Sequence, residues 1–240
     1  MAGAAVNYPT ALVPGTVVRR YKRYLIDVEL ADGTVVTAHC PNPGRMTSCM
    51  ADGAPCRLQY TASPKRKLDW TLEQVRIGDT WIGVHPRLAN DVVDEALQAE
   101  RVPALAGADR IEREVRSDDS RVDFRVWHGD TATWVEVKQV TLCQDDGWAA
   151  FPDAVTARGL KHLGSLVRRI EAGDRAMLLF AVARGDVDAV RPAESVDPAY
   201  AAGLRDAVAR GLGIVAHHID VREDGLVLGD ELPVYVDGKR

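Results

Sequence analysis

Apolar and polar residues alternate with a period of two through the first 85 residues, in short segments: YLIDVEL, TVVTAHC, PCRLQY, WTLEQVRI and TWIGV. Turn residues such as Ala31-Asp32-Gly33 and Gly78-Asp79 separate them. Five short strands punctuated this way predict a small closed β-barrel, and an OB-like barrel suits the size. From Leu88 onward the period lengthens. In ANDVVDEALQAERVPAL, apolar positions Val92, Val93, Ala96 and Leu97 recur at helical spacing, with Asp91 as a cap and Pro103 as a stop. Three strand-like segments follow, IEREVR, RVDFRVW and TWVEVKQV. Next, in FPDAVTARGLKHLGSLVRRIEAG, Leu160, Leu163, Val167 and Ile170 mark one face of a helix capped by Asp153 and closed by Gly173. AMLLFAVA reads as a strand covered on both faces. A further helix runs from Pro198 to about Arg210, between Asp197 and Gly211, and GIVAHHI supplies a last strand.

The order helix, three strands, helix, strand, helix, strand predicts a mixed sheet flanked by helices. The expected fold is mixed α/β in two units: an OB-like β-barrel over residues 1–85 and an αβββαβ domain over residues 86–240.

Strand parity places the charges of the central hairpin. In RVDFRVW, Val122, Phe124 and Val126 share one face and Asp123, Arg125 and Trp127 the other; in TWVEVKQV, Val135 and Val137 lie opposite Trp134, Glu136 and Lys138. The best turn dipeptide is Gly129-Asp130, and antiparallel pairing about it sets Asp123 across from Glu136 on one face, with Lys138 two residues further along. Two facing carboxylates repel unless a cation lies between them. Oxygen-only ligands, few in number, suit Mg²⁺ or Mn²⁺, which keeps several waters and completes its shell with substrate phosphates. Asp123, Glu136 and Lys138 are therefore candidate catalytic residues for phosphodiester hydrolysis, with Asp123, Glu136 and the backbone carbonyl of Val137 as metal ligands. Lys138 would orient the attacking water or offset developing negative charge. The bland reading of a Glu-x-Lys tripeptide is an exposed ion pair contributing well under about 1 kcal/mol.

Charge is divided unevenly. The chain carries a net −5, yet residues 1–85 hold 10 Lys/Arg against 7 Asp/Glu and the remainder 20 against 28. The two strongest basic clusters, RRYKR (Arg19, Arg20, Tyr21, Lys22, Arg23) and KRK (Lys65, Arg66, Lys67), lie in the basic part beside Tyr24 and Trp70. Basic side chains interleaved with aromatics can hold a phosphate backbone and stack bases; solvated charge beside core aromatics reads equally well. In the acidic part, Arg158, Lys161, His162, Ser165, Arg168 and Arg169 fall on the helix face away from Leu160 and Leu163, a basic stripe along which DNA could lie.

The longest clean apolar run, Ala176 to Ala183, is far short of the roughly 18 residues a membrane span requires, and no basic residue precedes the first apolar letters. A cytoplasmic protein without membrane partners is expected, its oligomeric state open, a homo-oligomer included. Cys40, Cys49, Cys56 and Cys143 show neither a CxxC pair nor zinc spacing. His217 and His218, adjacent on a strand, point to opposite faces and cannot chelate one ion together.

Seven blocks occur in one order over nearly the whole length: RYKR with the strand after it, AHCPNPGRM, PKRKLDWTLE, SRVDF, VEVKQVTL, FPDAVTARGLKHL and the DPAY of Asp197 to Tyr200. In this set the chain resembles the sugar fermentation stimulation protein A family, and its Asp followed by Glu-x-Lys resembles the PD-(D/E)xK nuclease superfamily. The resemblance implies an OB-like domain joined to a PD-(D/E)xK-type domain in a bacterial or archaeal DNA-binding protein, tied to regulation of sugar, notably maltose, metabolism. By the same likeness Asp123, Glu136 and Lys138 map onto the nuclease motif, and Glu114, in EREVR, onto an acidic position of the preceding strand. Two functions are expected in competition: a Mg²⁺-dependent nuclease acting on DNA, or a DNA-binding transcriptional regulator that keeps the nuclease fold without cleaving.

Overall fold

The computed structural model describes residues 6–117, 120–144 and 146–238. After a two-residue strand, β1 (Val6–Asn7), six strands follow: β2 (Val13–Tyr21), β3 (Leu25–Leu30), β4 (Val35–His39), β5 (Pro55–Tyr60), β6 (Trp70–Ile77) and β7 (Thr80–Gly83). Five of them pair in the order β4-β3-β2-β5-β6, and a bridge between His39 and Thr71 closes the ring into an OB-like barrel. Strand β7 is a hairpin partner of β6 outside the ring. The alternation of the sequence therefore identifies four barrel strands and this appendage but not β2, whose Pro14 and Gly15 interrupt the pattern. Gly15 is required, since a Cβ there would stand 2.5 Å from Val28 Cγ1. The interior is filled by Ile26, Val28, Leu58, Leu72 and Val75, with Met46 from the loop after β4.

The second unit contains α1 (Pro86–Gln98), β8 (Arg110–Ser117), β9 (Ser120–His128), β10 (Thr131–Val140), β11 (Leu142–Cys143), β12 (Ala149–Phe151), α2 (Ala157–Glu171), β13 (Arg175–Val182), β14 (Val190–Pro192), α3 (Pro198–Ala209), β15 (Gly213–Val221) and β16 (Gly225–Leu232). Its main sheet runs β1-β16-β15-β13-β10-β9-β8, parallel at β10-β13-β15 and antiparallel elsewhere, while β11, β12 and β14 form a small second sheet. The αβββαβ order is thus present, extended by α3, β15 and β16. Val6–Asn7, read above as part of the barrel segment, instead pairs with β16 and extends the second sheet.

Both faces of the main sheet are covered. Helix α1 packs Val92, Val93 and Ala96 against Val135, Val137, Leu179 and Ala181; α2 and α3 pack Leu163, Leu166, Tyr200 and Leu204 against Trp134, Leu178 and Phe180. The face of β10 that carries Glu136 is therefore as buried as the apolar one. No helix among the described residues is long and apolar enough to cross a membrane.

Helix starts differ from two expectations. Helix α1 begins at Pro86 after His85, placing Asp91 inside the helix, where it pairs with Arg113 at 2.7 Å. Helix α2 is capped by Thr156, whose side chain accepts from the Gly159 N–H at 3.0 Å; Asp153 has another task, described below. Thr156→Ala is expected to cost about 1 kcal/mol, measured as a lower urea midpoint at unchanged slope. Asp197 caps α3 as expected, accepting from the Tyr200 N–H at 3.0 Å.

Candidate active site

The β9–β10 hairpin has the register a turn at Gly129-Asp130 requires: Thr131 opposes His128, and pairing runs as far as Val135 opposite Phe124. Backbone pairing stops there. Beyond it the Asp123 carboxylate takes the place of a ladder acceptor, with Oδ2 receiving the Val137 N–H at 2.8 Å and Oδ1 the Asn90 side chain of α1 at 2.7 Å. The β8–β9 ladder skips the same level, passing from Arg113–Phe124 to Val115–Val122. Phe124 packs on the α1 side and Val122 on the α2 side, so these two do not share a face as parity predicts; the alternation breaks at Asp123. Since a paired strand residue directs its N–H and C=O to the same neighbour, the Val137 carbonyl faces the gap that Asp123 enters.

Glu136 is 3% exposed beneath α2. Its Oε1 accepts from Lys138 Nζ at 2.5 Å and is also hydrogen-bonded to His162 Nδ1. Burial alone would raise the Glu136 carboxyl, but the His162 hydrogen bond and the Lys138 charge hold it below the ordinary carboxylate range. Asp123 moves the other way: burial, then the neighbouring Glu136 charge, push it up to about 6. Two carboxylates driven apart in this way mark a site that accommodates only one negative charge comfortably without a cation.

Both carboxylates open into a cleft of about 740 Å³ between the two units, lined also by Lys138, Glu114, Arg23 and Arg158. Glu114, at the lip, has a positive φ of 52° and a side chain 57% exposed, 3.8 Å from Arg121. The barrel supplies the opposite wall through Asn42, Pro43 and Gly44. Asp153 latches this loop: its Oδ2 accepts the Met46 N–H at 3.1 Å, and Gly44 sits so close that a Cβ would fall 2.1 Å from the same carboxylate. From the barrel side, the Arg20 guanidinium donates to the carbonyls of Asn42 at 2.8 Å, Gly44 at 2.9 Å and Arg45 at 3.3 Å. Arg20 thus anchors the loop while also lining the second cavity described next. Behind the loop, buried Arg184 donates to the carbonyls of Thr141 at 2.8 Å and Ser48 at 3.3 Å.

The remaining basic residues separate into two groups. Tyr21, Lys22, Arg23 and Arg45 line a second cavity of about 630 Å³ that shares Arg23, Pro43 and Gly44 with the first. Lys22 and Arg23 both have positive φ, 49° and 64°, in the turn between β2 and β3. Away from the cleft, Arg19 pairs with Asp27 at 3.0 Å, while Lys65, Arg66 and Lys67 occupy the β5–β6 loop, Arg66 donating to Thr71 Oγ1. Lys161 is exposed on α2 and does not line the cleft, whereas His162 is buried in it, not on an outward stripe. The reason is the helix phase: Gly159, His162, Leu163 and Leu166 face the sheet, and Leu160 is 38% exposed. Counting Leu166 instead of Leu160 would have shown this. Asn90 also escaped the sequence reading, having no motif around it.

The donors gathered here, two carboxylates and a carbonyl, are all oxygens, the type hard cations prefer. Among the described residues no three His, Cys, Asp or Glu side chains converge as a metal cluster, so a fully caged ion is not accommodated. Two carboxylates and a carbonyl suit an ion that retains several waters. Both hydrogen bonds given to the Glu136 carboxylate among the described residues fall on Oε1, none on Oε2. Buried Cys49 and Cys56 have thiols pushed up to about 12 by burial and offer no nucleophile.

Residues 18–84 match the SfsA N-terminal OB domain, and residues 87–225 the sugar fermentation stimulation protein RE domain. The sugar fermentation stimulation protein homolog of Maricaulis maris is 45% identical, covering 93% of this chain and 96% of the relative. That of Magnetococcus marinus is 50% identical over 88% of this chain and 91% of its own. The solved structure of Pyrococcus furiosus SfsA in complex with Ca²⁺ superposes with a TM-score of 0.88 at 25% identity, covering 97% of this chain and all of that one. On these matches, spanning both units, the chain belongs to the sugar fermentation stimulation protein (SfsA) family.

Proposed function

We propose that this chain is a DNA-binding protein whose interdomain cleft hydrolyses phosphodiester bonds with Mg²⁺ or Mn²⁺. The observation that carries the reading is the meeting of Asp123 and Glu136 in one cleft with Lys138 hydrogen-bonded to Glu136. Asp123, Glu136 and the Val137 carbonyl would hold the ion, which when bound polarises the scissile phosphate and acidifies water. Lys138 reaches the cleft beside Glu136 and offsets charge developing on the phosphate. Arg158 and Arg23 receive the flanking phosphates, and Lys22 and Arg45 carry the strand onward across the barrel rim. Glu114, at the lip, adds negative charge for a hydrated ion. The relative from Pyrococcus furiosus, solved with Ca²⁺, supports a taste for hard divalent ions within this fold. The family name ties such a protein to the stimulation of sugar fermentation.

The test uses purified full-length chain with single-stranded and duplex DNA. Cleavage is expected with Mg²⁺ or Mn²⁺ and none with excess chelator, alongside binding that weakens as salt rises. Binding without cleavage under either ion would replace this reading with that of a regulator that keeps the fold alone; no binding at low salt would remove DNA altogether.

A further inference from the structure

His162 is 8% exposed on α2, and its two ring nitrogens meet different partners. Arg158, one turn earlier, aims its Nε at His162 Nε2 across 3.3 Å. An arginine Nε always carries its hydrogen, so Nε2 accepts. A neutral ring that accepts at Nε2 carries its proton on Nδ1, and Nδ1 is the atom bonded to Glu136 Oε1. Lys138 Nζ lies 3.4 Å from Nδ1, but one donor does not bond another, and its own hydrogen bond goes to Oε1 at 2.5 Å. Both donors thus converge on one oxygen of Glu136.

Resting on the cation-dependent reading above, we infer that His162 is a positioning residue: it fixes Oε1 of Glu136 so that Oε2 is presented to the ion. The lysine cannot do this alone. Its long stem has four rotatable bonds, whereas the imidazole is rigid, buried, and carried on a helix anchored by the Thr156 cap. Groups that orient a metal ligand in this way matter to affinity although they never touch the ion. The same contacts join Arg158, which faces the cleft, to a cation ligand, so that a phosphate held by Arg158 and the ion bear on one carboxylate.

The experiment is a Mn²⁺ titration of the full-length protein by electron paramagnetic resonance, with thermal unfolding of each variant as a check on folding. His162→Ala is expected to bind Mn²⁺ about tenfold more weakly. His162→Asn, whose amide N–H can take the place of Nδ1–H, is expected to recover most of that loss. Wild-type affinity in His162→Ala, or equal loss in both variants, overturns the inference and leaves the cation site standing. A wild-type chain that binds no Mn²⁺ removes the site and the inference together. If neither variant folds, ¹⁵N-resolved imidazole spectra of the wild type decide: a proton on Nδ1 with Nε2 bare supports the positioning role, and a proton on Nε2 alone overturns it.

Discussion

Lys138→Ala protein is expected to bind DNA nearly as well as wild type but to cleave it about 10²–10³-fold more slowly. The separation follows from where the ammonium sits. The Lys138 side chain is only 15% exposed and lies against Glu136, deep in the cleft, so it adds little to the outer field that draws in a polyanion. Arg158, Arg23, Lys22 and Arg45, which line the cleft and the cavity beside it and in the proposed function hold the phosphates, are untouched by the change. On the proposed hydrolysis, what is lost is a donor placed where charge would develop. Glu136 keeps its His162 partner, so the fold should survive. Single-turnover rates at saturating protein, set beside filter-binding affinities, check the split; an unchanged rate would exclude Lys138 from the chemistry.

Arg184→Met is expected to destabilise the protein by about 3 kcal/mol, the lower end of what breaking a buried ion pair costs. Arg184 is 2% exposed and makes two 2.7 Å bonds to Asp186 as well as those to Thr141 and Ser48. Methionine fills much of the volume but leaves buried carbonyls without their donor. The Asp186 side chain is 35% exposed, so water recovers part of its loss and keeps the cost at the low end. Because Ser48 belongs to the barrel and Thr141 to the β10–β11 connection, the same change loosens the joint between the units. Urea unfolding followed by tryptophan fluorescence measures the loss; a midpoint matching wild type would show that these contacts are dispensable.

What could be read from the chain alone was local. The Gly129-Asp130 turn sets the hairpin register because a side-chain period of two admits no half-step. AMLLFAVA reads as a doubly covered strand because both of its faces must be apolar, and β13 lies between α1 and the α2–α3 layer. Where two signals compete, the reading went astray. Pro14 and Gly15 mask β2, although Gly15 is there to let β3 approach. On α2, Leu160 misled the choice of face because it packs sideways toward Gly203 of α3, where a Cβ would stand 2.5 Å from Leu160 Cδ1. Long-range contacts left no trace at all: Asp153 on Met46 joins the two units, while Arg20 on the loop carbonyls and Asn90 on Asp123 join residues far apart in sequence within one unit, and only the fold brings them together.

The start of the described chain has a consequence for anyone dissecting the molecule. Val6 and Asn7 pair with Leu226 and Gly225, and Tyr8 follows by giving its N–H to the Asp224 carbonyl at 3.0 Å, before the polypeptide enters the barrel. A C-terminal fragment cut out at the junction after His85 would be born with that flank of β16 bare, an open template for strand-by-strand self-association. Splicing those opening residues back onto the fragment should shield that edge, and because the chain's first strand completes the second sheet before the barrel begins, the two units are not two modules on a string.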